Sequence, residues 1–156
     1  MRYFFKNWLP VIVWLGVIFF GSTDLLSAEH TSRFIVPFLR WVIPDISPET
    51  LAEIHFIIRK CMHLGEYAIL GLLLLRAATL MTNSRRSIPI LYLIVLAVCL
   101  FVAATDELHQ AFVASRGASV RDVAIDSSGA ILGLLIGAIF QISRSTRIEK
   151  RLRTIR

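Results

Sequence analysis

The sequence predicts an all-α, polytopic membrane helix bundle with four transmembrane helices, and three observations carry that prediction. Of its 156 residues, 56% are hydrophobic and only 18% charged, with a mean hydropathy of +0.68, a balance that does not fit an aqueous globule. The charges gather at the ends and in short clusters, leaving apolar runs near the ~20 residues that a helix needs to cross a bilayer core. The basic residues, finally, fall in alternate connecting segments, as they do when one membrane face retains them. These features exclude a conventional soluble enzyme. A net charge of +6 and a pI near 10.0 would also suit a nucleic-acid partner, but the excess is accounted for by one membrane face, and no nucleic acid is expected.

The first crossing is expected at residues 4–20, with Arg2 and Lys6 at its start and Trp8 near the boundary, where an indole with one polar edge favours the headgroup region. It reads as an uncleaved start signal and anchor. A cleaved signal peptide is the alternative, because a basic start before an apolar stretch is also its layout and Gly21 and Thr23 are small residues near a cut. The second crossing is expected at about residues 61–81, the third at 88–104 and the fourth at 123–142, each rich in Leu, Ile, Val, Ala and Gly. Arg2, Lys6, Arg76, Arg85, Arg86 and the basic tail over 143–156 then share one side, where eleven basic residues face Glu149 alone, a net of +10. The other side holds ten acidic residues against six basic ones, a net of −4. The basic side is expected to be the cytoplasm, with both termini inside and the tail on the anionic inner leaflet. Residues 1–156 are expected to form a single membrane domain.

The segment from Gly21 to Lys60 is therefore expected outside, with short interfacial helices. Arg33 and Arg40 are one heptad apart, while Ile35, Phe38, Leu39 and Val42 fill the other side, the layout of a helix lying among headgroups, with Pro37 against it. Beyond Pro44, the run Ser47, Pro48, Glu49 reads as an N-cap, a first-turn proline and an acid at the positive helix end, opening a helix that can lead straight into the second crossing.

Polar side chains inside a membrane bundle are expensive, so their positions are informative. On the second crossing Lys60, His63 and Tyr67 recur at helical spacing, with Glu66 beside Tyr67 and Gly71 one turn further. On the third, Asp106, His109 and Gln110 lie within one turn where the helix emerges, while Glu107, offset by about 100°, is expected to face elsewhere. The next loop adds Arg116 and Gly117. On the fourth, Asp122 and Asp126 are four residues apart and lead into Gly129, Gly133 and Gly137, a small-residue stripe expected to let a neighbouring backbone approach, so both aspartates should point inward. Cys61 and Cys99 fall at different depths, so no disulfide is expected, and both read as small buried residues outside any metal motif.

These residues resemble the VanZ-like family of small bacterial membrane proteins, named for a protein associated with teicoplanin resistance. The resemblance covers Lys60 to Gly133 and is carried by Lys60, His63, Tyr67 and Gly71 in KCMHLGEYAILG, by Asp106, Glu107 and Gln110 in TDELHQAF, by Arg116, and by Asp122, Gly129 and Gly133 in DVAIDSSGAILG. It implies a cell-envelope function at the plasma membrane, with altered susceptibility to lipid-tailed glycopeptides as the best-known phenotype. Family members commonly carry Asn where this chain has Asp126, which adds a carboxyl group to the pattern.

The groups themselves bound the chemistry. Lys60 and Arg116 can hold an anionic phosphate, Tyr67, Gln110 and Asp126 can add substrate contacts, and Asp106, Asp122 and His63 are the catalytic candidates, an aspartate accepting a proton from an attacking hydroxyl or water. The expected ligand is a membrane lipid headgroup or a lipid-linked cell-wall intermediate at the outer leaflet, and an enzyme of this kind would be a transferase or hydrolase. Ser115, Ser119, Ser127 and Ser128 sit in no nucleophile motif and read as caps. No cofactor is expected; a divalent ion among His63, Asp106, His109 and Asp122 is an alternative to a metal-free pocket. The contrasting class is non-enzymatic: Lys60, Asp106, Arg116, Asp122 and Asp126 as an ion-paired structural network, or a lipid-binding, drug-shielding site. A transporter has little basis in four short helices without an inverted repeat.

Overall fold

A computed structural model describes residues 2–23, 28–81, 88–113 and 117–154. Among these, the secondary structure is helical with no strand: α1 (Arg2–Gly21), α2 (Ala28–Val42), α3 (Pro48–Thr79), α4 (Ile88–Gln110) and α5 (Val120–Thr154). Four segments are long and apolar enough to cross a membrane, Phe4–Gly21, Pro48–Thr79, Ile88–Gln110 and Val120–Ser143. The second crossing and the segment before it are one continuous helix. Ser47 caps α3 by accepting from the Thr50 N–H at 3.2 Å, with Pro48 in the first turn, where its missing N–H costs nothing. At 32 residues α3 is about 48 Å long, longer than a ~30 Å hydrocarbon core, so its first turns project beyond the ends of its neighbours. Pro10 in α1 and Pro37 in α2 are both carried inside their helices, each removing one donor from the ladder. The α5 backbone stays helical to Thr154, well past the expected end at 142.

Packing follows from small residues. The largest interface joins α3 to α5, which run parallel: Lys60 meets Asp122, His63 meets Asp126, Leu64 meets Gly129 and Ala68 meets Gly133. A Cβ on Gly129 or Gly133 would collide with the carbonyl oxygen of Leu64 or Ala68, and one on Gly71 would lie 2.9 Å from the Ala130 carbonyl. The stripe is thus the packing face, and backbone contact is what sets the spacing of the two helices. α1 lies antiparallel to α3: the Trp8 Nε1–H points at the Met81 sulfur at 3.1 Å near one end, and the Trp14 Nε1–H donates to the Glu66 carbonyl at 2.9 Å nearer the other. α2 packs on α3, where Thr31 and His55 share a hydrogen bond of 3.1 Å.

The molecule is apolar outside and polar within at one end. Phe5, Ile12, Phe19, Leu93, Phe101 and Ile139 are among the large side chains exposed around the bundle, whereas His63, Asp106, Glu107, Gln110, Asp122 and Asp126 are buried. An exposed apolar belt of this extent is a surface for lipid tails. Cys99 is buried as expected, but Cys61 is exposed, because its position turns away from the α3–α5 seam; both are free thiols.

Candidate polar site at one end of the bundle

Helix direction brings the polar residues to one level. The end of α4 supplies Asp106, Glu107 and Gln110, the first turns of α5 supply Asp122 and Asp126, the middle of α3 supplies Lys60, His63 and Tyr67, and Ser22 follows the end of α1. Parallel α3 and α5 put residues of similar offset side by side, so Lys60 forms an ion pair with Asp122 while also lying over the Phe56 ring, 5.0 Å from its centroid. The His63 Nδ1 lies 3.2 Å from Asp126 Oδ1. Within α4 the Gln110 amide donates to Asp106 Oδ2 at 3.0 Å, the i to i+4 relation seen in the sequence.

Two side chains do not sit where helical spacing places them. Glu107 does not face away: it is 4% exposed and its Oε2 accepts from the Ser119 N–H at 2.7 Å. The cause is the start of α5, whose positive end lies against the Glu107 carboxylate through the Ser119 N–H. His109 leans toward α1 instead, sharing a 2.9 Å hydrogen bond with the Ser22 hydroxyl and packing its ring 4.8 Å from that of Phe19. Arg116 lies outside the described residues. Ser127 and Ser128 donate to the carbonyls of Val123 and Ala124 one turn back, which commits both hydroxyls to the helix.

The site has two spaces. A small cavity of about 20 Å³ is bordered by Ser22, Arg59, His63, Glu66, Asp106 and Gln110, room for one water or ion. A groove of about 290 Å³ runs between α1 and α4, lined by Leu15, Ile18, Phe19 and Val102 and ending at Asp106 and His109. Asp106 borders both. Sequence reasoning passed over Arg59 and Ser22. Arg59, His63 and Glu66 stand at helical spacing on α3, which is the signal that could have found the arginine; Ser22 carries no such signal, because its partner is on another helix.

Three buried polar atoms have no hydrogen-bond partner among the described residues: the Tyr67 hydroxyl, Glu107 Oε1 and Asp126 Oδ2. Each such atom costs about 1–3 kcal/mol when left dry, so three around one centre form a sizeable reserve of unmet polarity. One ligand atom each from His63, Asp106 and Asp126 falls within 4.8 Å of the others, a set that can hold a metal ion. It differs from the set read from the sequence, since Asp122 is engaged by Lys60 and His109 by Ser22. Chemically, the arrangement offers carboxylates able to take a proton, an imidazole, and cationic groups at the rim.

A bundle with a lipid-facing apolar exterior and a buried polar centre reached from its side is a polytopic membrane protein. Its sequence adds the particular family: the VanZ/LLP1 family model matches residues 5–141, nearly the whole chain, and the protein belongs to that family. No curated protein and no solved structure matches it.

Proposed function

We propose that the protein acts on, or holds, a lipid at the outer leaflet of the bacterial plasma membrane, with both termini cytoplasmic and the polar centre at the outer face. The observation that carries this reading is the groove between α1 and α4: lined by Leu15, Ile18, Phe19 and Val102 and turning polar at Thr105, Asp106 and His109, it suits an amphiphile whose chain lies in the groove and whose headgroup meets the polar centre. A cavity of about 20 Å³ cannot enclose a headgroup, so the headgroup sits at its mouth, near Arg59, and Lys60 and Arg116, the cations singled out in the sequence, are further partners for its phosphate. The ligand class is a phospholipid or a lipid-linked cell-wall intermediate. Asp106, oriented by Gln110, is the base for an attacking water or hydroxyl, with Asp122 and His63 completing the machinery and Tyr67 and Asp126 positioning them, in a headgroup transfer or hydrolysis. Through that lipid, the protein would change teicoplanin susceptibility, the trait for which the family is named.

A non-enzymatic network is the second reading, favoured by the mutual pairing of Lys60 with Asp122 and Gln110 with Asp106. It leaves the groove and the three orphaned atoms without a purpose. The test is lipid identification by native mass spectrometry on protein released from native membranes. One class of anionic amphiphile is expected to co-purify with wild type and to be lost from Val102→Trp, which fills the groove. Bound lipid that is random in class and indifferent to Val102→Trp would remove the groove from the proposal.

A further inference from the structure

The unmet polarity of this centre is concentrated where α3, α4 and α5 meet. Asp126 is fully buried with Oδ2 unpartnered, and beside it the Tyr67 hydroxyl, also fully buried, is unpartnered and within electrostatic range of both Asp106 and Asp126. Among the described residues, no lysine or arginine pairs with Asp106 or Asp126; the lysine of the cluster is committed to Asp122. Two carboxylates, an imidazole and an idle hydroxyl therefore face one another where no lysine or arginine of the described residues reaches either carboxylate, the nearest cation on the small cavity being Arg59 at its border.

We propose that His63, Asp106 and Asp126 form a binding site for one divalent transition-metal ion. Their ligand atoms lie within 4.8 Å of one another, and the His63 Nδ1 to Asp126 Oδ1 separation of 3.2 Å matches the ligand–ligand edge of about 3.0–3.4 Å that metal bonds near 2.1 Å produce. The cavity of about 20 Å³ next to His63 and Asp106 accommodates an ion or its bound water. Gln110 holds Asp106 by Oδ2, the outer-sphere hydrogen bond that orients a ligating carboxylate. One nitrogen and two oxygen donors select zinc or manganese over the hard ions magnesium and calcium, which favour all-oxygen sites. Three protein ligands leave a coordination position for a water or a phosphate oxygen, and Asp106, which also lines the groove, brings the ion to the groove's polar end. The site deepens the lipid-headgroup reading and rests on the same residues, but its test requires no lipid.

The test is equilibrium dialysis of tag-free, full-length protein in detergent against ZnCl₂ and, separately, MnCl₂, followed by elemental analysis. About one ion per chain is expected for wild type and for His109→Ala, with affinity falling at least tenfold in His63→Ala and Asp126→Asn. Manganese-loaded wild type is also expected to show a directly bound imidazole nitrogen by pulsed electron paramagnetic resonance, which keeps the test independent of whether the variants fold. No saturable binding, binding unchanged by both ligand substitutions, or a manganese signal without bound nitrogen would overturn the site. Should ion binding fail while a lipid still tracks with the groove, the headgroup proposal stands without a metal; should ion binding hold with no lipid preference, the metal site stands alone.

Discussion

Lys60 and Asp122 show how one residue's worth depends on its partner. Asp122 is 6% exposed, so removing the ammonium leaves a carboxylate in a place that water hardly reaches. Lys60→Met is expected to destabilise the protein by about 3 kcal/mol, the low end for a buried pair because the lysine is itself partly exposed, and Lys60→Met with Asp122→Leu to recover most of that loss. Reversible unfolding in mixed micelles measures both. Asp126→Asn should behave differently: Asn keeps an oxygen for His63, and its NH₂ replaces the orphaned Oδ2 beside Tyr67. Its stability is expected within about 1 kcal/mol of wild type. A loss much larger than this would mean that the Asp126 charge is compensated in the folded state. Much of this was visible in the sequence as residue types, since Lys60, His63, Asp106, Asp122 and Asp126 stand out in apolar runs. Their pairing was not. Spacing along one helix reveals the Asp106 and Gln110 contact, but Lys60 with Asp122 and His63 with Asp126 depend on how far two helices slide past each other, and Glu107 on where the start of α5 lies against α4.

Among the elements, the α3–α5 seam is the one whose geometry the sequence states most directly, because glycines four apart mark a face that backbone can touch. Gly133→Ala is expected to lower stability by about 1–3 kcal/mol, since its Cβ would overlap the Ala68 carbonyl and push the helices apart. Gly16→Ala in α1 meets nothing within 4 Å and is expected to be neutral or to stabilise by up to about 1 kcal/mol. Equal losses at the two positions would show that close backbone approach does not hold the seam. α2 carries a second expectation. Phe34, Phe38 and Trp41 stand on one face of a helix and are all exposed, with Trp41 80% exposed, so that face is suited to the headgroup boundary. Trp41 fluorescence, isolated by replacing the other tryptophans with Phe, is expected to be quenched by lipids brominated close to the headgroup more strongly than by lipids brominated at the chain ends. A helix over this stretch was legible from the heptad of Arg33 and Arg40, but its exposed aromatic face, Phe34, Phe38 and Trp41, is not the expected Ile35, Phe38, Leu39 and Val42, of which Ile35 and Leu39 are half-buried; Pro37, which counts against a helix from propensity alone, is carried because a helix can lose one hydrogen bond and keep its face.

For the whole molecule, four crossings were legible because a bilayer imposes length and apolarity so strongly that few other readings survive. The groove between α1 and α4 was not, because it arises from how two helices that are distant in sequence fail to close on each other around α3. Orientation is expected to follow the basic residues: a single cysteine at Ser84, in a background lacking Cys61 and Cys99, should label only after the membrane is made permeable, and labelling from outside in intact cells would reverse the topology. The central claim is that the polar centre works on a lipid. Its most direct measurement compares lipid and cell-wall precursor profiles, with teicoplanin susceptibility, in cells carrying wild type, Asp106→Asn or Asp122→Asn at matched membrane levels. The expected result is a lipid species that shifts with wild type and returns to the empty-vector level with Asp106→Asn; profiles and susceptibility that are the same for all three proteins would contradict the claim and leave the cluster a structural network.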